Sequence, residues 1–148
     1  MEGDLYDVID EIDAHLADFQ FDEAESLLEE ARSSMGDEPE LVVLGAEIAY
    51  ERSDWQKCID RVEAGVDRVG EPYCAELYGF QGYALFYSGR EDDARTAFNK
   101  AIELDGDLWM AVVGRAMTNE HEGYLEAALL DLDRARQLDD QEAEPFAI

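Results

Sequence analysis

The chain has 148 residues, 47% of them hydrophobic, and 38 acidic residues stand against 11 basic ones for a formal net charge of -27. That length allows one domain with a packed core, while the charge excludes nucleic acid, whose phosphates are held by basic groups that displace counterions. No apolar run approaches the ~18 residues of a membrane span, and the acidic start lacks the apolar segment of a secretory signal.

In chain order, a helix-pair pattern is predicted four times, at about 5–38, 39–72, 75–108 and 109–142, with a short tail over 143–148. The register is carried by small residues of each second helix: Ala24, Cys58, Ala94 and Ala128 recur at intervals of 34, 36 and 34. Five positions earlier, Phe19, Ser53, Gly89 and Gly123 fall at the turn between helices. Leu28, Val62, Phe98 and Leu132 form an apolar column, and Ala31, Gly65, Ala101 and Ala135 a second small one. Fixed-period self-similarity of this kind marks a repeat architecture.

Pro39 and Pro72 follow acidic residues at unit boundaries, where a first helical turn has no partner for the missing N–H. Asp37 and Asp107 are expected to be N-caps, accepting an orphan backbone N–H. Cys58 takes a small-residue slot at a helix crossing and Cys74 falls in the preceding linker, which suits a reduced, cytoplasmic protein and offers no redox or zinc spacing.

The third unit, through Tyr78, Gly82, Leu85, Gly89, Ala94, Phe98 and Ala101, resembles the tetratricopeptide repeat. The fourth is similar at Ala116, Gly123, Ala128, Leu132 and Ala135, with Asn119 where a large apolar residue is usual and Asp140 in place of the closing proline. The first keeps Phe21, Asp22, Glu23 and Ala24, and the second Ser53, Asp54 and Trp55. The resemblance implies an all-α fold, a right-handed α-solenoid of antiparallel helix pairs in a single domain.

By the same resemblance, the first helix of each unit lines a concave groove. Tyr6, Ile9, Asp13 and Leu16 are expected there from the first unit, and Glu40, Val43, Glu47 and Tyr50 from the second. The third contributes Glu76, Phe80, Tyr83, Phe86 and Tyr87, the fourth Met110, Val113 and Met117. Periodicity supports part of this independently: Tyr78, Phe80, Tyr83, Leu85, Phe86 and Tyr87 are too many large residues for one buried stripe of a helix. Tyr78 and Leu85 fit the core, which leaves Tyr83, Phe86 and Tyr87 for a groove or a neighbouring helix.

Tetratricopeptide domains that clamp a C-terminal carboxylate use lysine, arginine and asparagine on these columns. Ile9, Asp13, Leu44, Met110 and Gly114 stand there instead, so that clamp is missing. A protein or peptide with basic and apolar side chains suits this lining better, held by Asp13, Glu47 and Glu51 and packed on the rings. Two readings follow: a non-enzymatic adaptor or scaffold, or a dedicated chaperone similar to those of type III secretion translocators.

No catalytic residues, cofactor or metal site are expected. His15 falls on a packing column and His121 between two glutamates, no HExxH or glycine-rich phosphate loop occurs, and Asp105-Gly106-Asp107 lacks the later ligands of a calcium loop. Two lysines, Lys57 and Lys100, among so many acids fit a salt-loving source or an acidic mesophile protein with basic clients. Terminal units of a solenoid expose faces that need a cap. The tail residues Pro145, Phe146 and Ile148 are expected to cover Leu129 and Leu130, or a second protomer does. Deletion from Glu144 onward is then expected to lower the melting temperature or change the oligomeric state; a variant unchanged in both excludes this cap.

Overall fold

The computed structural model describes residues 2–143, which form eight α-helices. These are α1 (Glu2–Ala17), α2 (Phe21–Met35), α3 (Pro39–Glu51), α4 (Trp55–Gly65), α5 (Glu71–Tyr87), α6 (Glu91–Leu104), α7 (Trp109–His121) and α8 (Leu125–Ala143). Each odd-numbered helix packs antiparallel on its successor, and the pairs stack as a right-handed superhelix. First helices approach closely in succession, α1 on α3, α3 on α5 and α5 on α7, whereas the backbones of second helices stay farther apart and meet through side chains such as Arg61 of α4 on Glu25 of α2. A stack closer on one layer curves toward it, so the first helices form the concave side.

The four turns share one backbone solution. Phe19, Ser53, Gly89 and Gly123 all have left-handed φ, at 58°, 62°, 84° and 87°. The next residue in each turn donates its N–H to the carbonyl five positions back: Gln20 to His15 (2.8 Å), Asp54 to Ala49 (2.9 Å), Arg90 to Leu85 (2.9 Å) and Tyr124 to Asn119 (2.8 Å). The left-handed residue itself donates three positions back in every case. This is the Schellman arrangement, which satisfies the last carbonyls of a helix and reverses the chain within a few residues.

The buried columns are those of the repeat. Ala24, Cys58, Ala94 and Ala128 are buried, and Leu28, Val62 and Phe98 are at most 2% exposed, while Leu132, on the last described helix, is 45% exposed. Burial pushes the Cys58 thiol up to about 12, so the sulfur behaves as a small apolar group. The tail residues Pro145, Phe146 and Ile148 lie outside the described residues; Leu129 and Leu130 stand exposed on α8.

Pro39 and Pro72 occupy first turns, of α3 and α5, as their missing N–H permits. Asp37 and Asp107 are not N-caps. Glu38 and Leu108 hold those positions without a side-chain cap. Asp37 accepts from Arg32 (2.7 Å) and Arg68 (3.0 Å), and Asp107 pairs with Arg134. Both stand one residue before the N-cap position, and their carboxylates turn to arginines within reach in charge-assisted bonds. Cys74 lies within α5 rather than in a linker, its thiol donating to the carbonyls of Val66 (3.2 Å) and Val69 (3.5 Å).

A side chain in the left-handed region costs roughly 1–2 kcal/mol that glycine does not incur. Ser53→Gly is therefore expected to stabilise the fold by about 1 kcal/mol and Gly89→Ala to destabilise it by a similar amount, read as opposite shifts of the urea midpoint at constant slope.

Candidate functional site

Like α3, α5 touches four other helices, in its case α3, α4, α6 and α7. That explains its surplus of large residues, because rings leave it in several directions rather than along one stripe. Leu85 and Gly82 go to the core, and Tyr78 is half-buried against it beneath the Lys100 ammonium, 5.4 Å from the ring. Tyr83 reaches across to α7: its hydroxyl donates to the Met110 carbonyl at 2.6 Å and its ring meets Phe98 edge-on at 5.0 Å. It is half-buried, with burial pushing its hydroxyl pKa up. Phe80, Phe86 and Tyr87 remain toward α3 and the turns.

Tyr50 of α3 is the hub of the resulting ring cluster. Its centroid lies 5.8 Å from Trp55, 5.9 Å from both Phe80 and Tyr83 and 6.3 Å from Tyr87. Trp55 and Tyr87 stack at 5.4 Å with 23° between planes, and Phe86 joins Tyr87 edge-on at 5.3 Å. Ring pairs in these geometries each add about 0.5–1.5 kcal/mol beyond area burial. Tyr87 is nonetheless 50% exposed, so the cluster is anchored in the core and open at one edge.

One turn before Tyr50, Glu47 projects among acids of three helices. Burial pushes its carboxyl up to about 7, reinforced by Asp13 of α1, Glu51 of α3 and Glu76 of α5. Glu76 and Asp13 are themselves raised by burial, with Asp105 acting on the first and Asp10 on the second. Among the described residues no lysine, arginine or histidine pairs with Asp13, Glu47, Glu51 or Glu76. Nor do they draw together as a metal site; no group of three or more potential ligands occurs among the described residues.

The remaining expected groove residues are spread around this centre. Tyr6 stands 57% exposed on α1, and the Tyr73 hydroxyl donates to Glu40 at 3.0 Å. Met110 lies over Gly79, where a Cβ would come 3.0 Å from its Cε. Met117 and Val113 are half-buried on α7, while Val43 is buried in the core. His15 is half-buried, its Nδ1 2.6 Å from Gln20 Oε1. His121 is exposed, its Nδ1 2.5 Å from Glu91 and its ring edge-on to Phe86 at 5.7 Å. Asp105 accepts from the Asp107 N–H at 3.0 Å, closing a helix–helix turn.

Trp55 escaped the reading of first helices because it opens a second helix. The available signal was its column: Phe21 holds the same place after the first turn, so a large ring beside the turn could have been foreseen.

Residues 75–108, from within α5 through α6 to the start of the next unit, match the family described as "Tetratricopeptide repeat". The α5–α6 pair is a tetratricopeptide repeat. A search of curated protein sequences gave no match to the chain. Among solved structures, "Crystal structure of MamA" superposes with a TM-score of 0.72 at 16% identity, covering 93% of this chain and 79% of that one. "MamA AMB-1" does so at 0.67 and 19%, covering 87% and 75%. This likeness is one of fold: a tetratricopeptide-like solenoid of stacked helix pairs. No helix among the described residues is long and apolar enough to cross a membrane.

The raised Glu47 carboxyl sets a pH dependence. Its folded pKa of about 7 exceeds the ordinary 4.5, so the folded state binds the extra proton and this site weakens the fold as pH rises from about 4.5 through about 7. Glu47→Gln is expected to melt above the wild type at about pH 8 and to lose that advantage near pH 5; thermal melts across this range measure the difference.

Proposed function

We propose that the chain is a protein-interaction module that holds an extended or helical segment in its concave groove, and that this segment carries lysine or arginine beside apolar anchors. Tetratricopeptide repeats are a protein-interaction architecture, and fold alone does not name the partner. The observation that carries the finer reading is Glu47: a half-buried carboxylate without a cation among the described residues, next to a ring cluster open at Tyr87. A cationic side chain entering there relieves the repulsion from Asp13, Glu51 and Glu76 and finds aromatic faces worth ~0.5–2 kcal/mol as cation–π partners. Tyr6, Phe80, Met110 and Met117 extend the apolar lining on either side. The chaperone reading has its own support in the exposed leucines of α8, Leu125, Leu129 and Leu130, which offer a hydrophobic client a surface outside the groove. The two unpaired cysteines suit a cytoplasmic setting for either reading.

Peptide display at low and high salt is the direct test. Wild type is expected to enrich peptides that combine Lys or Arg with aromatic or aliphatic residues. Each of Glu47→Gln and Tyr87→Ala should weaken the enriched peptides about tenfold, a difference of ~1.4 kcal/mol. Tyr83→Ala is a poor probe, since it also removes the bond that ties α5 to α7. Peptides that bind both variants as tightly as wild type would move the site off this face.

A further inference from the structure

On the opposite layer from the groove, three of the nine arginines of this acidic chain meet at one cavity. It measures about 50 Å³ and is lined by Arg32 of α2, Val42 and Gly45 of α3, and Arg61, Ala64, Gly65 and Arg68 of α4 and its end. Such convergence runs against the field of the molecule, and the ion pairs do not neutralise it. Arg61 grips Glu25 with two nitrogens (2.8 and 2.9 Å) and donates to the Gly45 carbonyl (2.7 Å). Arg32 and Arg68 share Asp37, at 2.7 and 3.0 Å. Three guanidiniums thus face two carboxylates, which leaves one positive charge uncompensated. Arg32 and Arg68 each pair through a single nitrogen, so most of their N–H groups have no protein acceptor among the described residues.

The chemistry of these donors selects the ligand. A guanidinium is a planar fork that matches the two oxygens of a carboxylate. Arg61 already shows the fit on both oxygens of Glu25, and Arg32 foremost, with Arg68, holds the Asp37 carboxyl below the usual range. A buried water requires ~10–15 Å³ of cavity, so the space admits a group of about three or four heavy atoms, the size of a carboxylate head. Gly65 is fixed by packing, since a Cβ there would stand 2.6 Å from Val42 Cγ1. Ala64 is exposed at the rim and is free to vary.

We propose that the cavity between α2, α3 and α4 binds a carboxylate, delivered by a free short acid or by the C-terminus of a partner chain. It is a second site, independent of the groove, and it takes the opposite charge.

The test is an amide NMR titration of the whole protein with acetate at constant ionic strength, sodium chloride being the balancing salt. Saturable shifts confined to Gly45, Ala64, Gly65 and their neighbours are expected in the millimolar range. Arg32→Gln should weaken them about tenfold. Ala64→Leu, which keeps every charge and plugs the rim, should do the same while leaving the melting temperature unchanged. A second arm uses a short peptide with a free C-terminal carboxylate against its amide. Tighter binding of the free-acid peptide than of acetate assigns the cavity to a partner's chain end, and equal binding assigns it to a small acid. Shifts that drift without saturating, or that persist in Ala64→Leu, overturn the proposal.

Discussion

The stack depends on how closely first helices can approach the second helix they share. Phe98 shows the constraint most clearly: its ring lies between Gly82 of its own unit and Gly114 of the next, and a Cβ at either glycine would overlap it. A large residue on the second helix is thus matched to missing side chains on two first helices, at the density of a packed interior. Leu28 and Val62 occupy the same column and are likewise buried. The curvature of the concave layer follows, because the first helices touch each other while the second helices are held apart. Tyr83 then spans from α5 to α7 only because that spacing brings the Met110 carbonyl to its hydroxyl.

The arginines explain why the acidic surface does not simply repel itself apart. Arg61 joins α4 to Glu25 of α2 and to the Gly45 carbonyl of α3. Arg95 donates to Asn119 (3.0 Å) and Glu122 (2.5 Å) at the end of α7, and Arg115 to Asp131 (2.9 and 2.7 Å) and Asn99 (3.0 Å). Each bridges helices of neighbouring or paired units, half-buried, where losing one partner leaves a costly unpaired charge. Asn119 is thereby explained: it departs from the apolar residue of the repeat because it is a buried acceptor for Arg95.

Much of the architecture was legible in the sequence because it is periodic. The column Phe19, Ser53, Gly89 and Gly123 marks the turns whether or not glycine fills it, since its small and polar neighbours recur with it; even Phe19 takes the left-handed conformation. What was not legible depends on pairs without a period. Asp37 and Asp107 have the residue type of caps but stand one residue before the N-cap position, and arginines far along the chain claim them. The direction of each ring on α5 was likewise hidden, because it follows from which of four neighbouring helices each ring meets. Trp55 joined the cluster from a second helix, a layer that spacing alone assigns to the convex side.

Arg61, Arg95 and Arg115 stand at joints between helices, and among the described residues no arginine pairs with the groove acids. Asp13, Glu47, Glu51 and Glu76 come from three helices brought together by the same packing that fixes the stack, and Glu47 opposes that packing by its charge. A group that destabilises the free protein and is relieved by a partner raises the differential affinity for that partner, since binding then recovers energy the empty groove lacks. The ring cluster behind it is anchored by Tyr50, which packs against the core and meets Tyr83 at 5.9 Å. An apolar replacement at Glu47 would remove a charge that its own packing disfavours and, on the proposed reading, would also remove the groove's main hold on a cationic side chain.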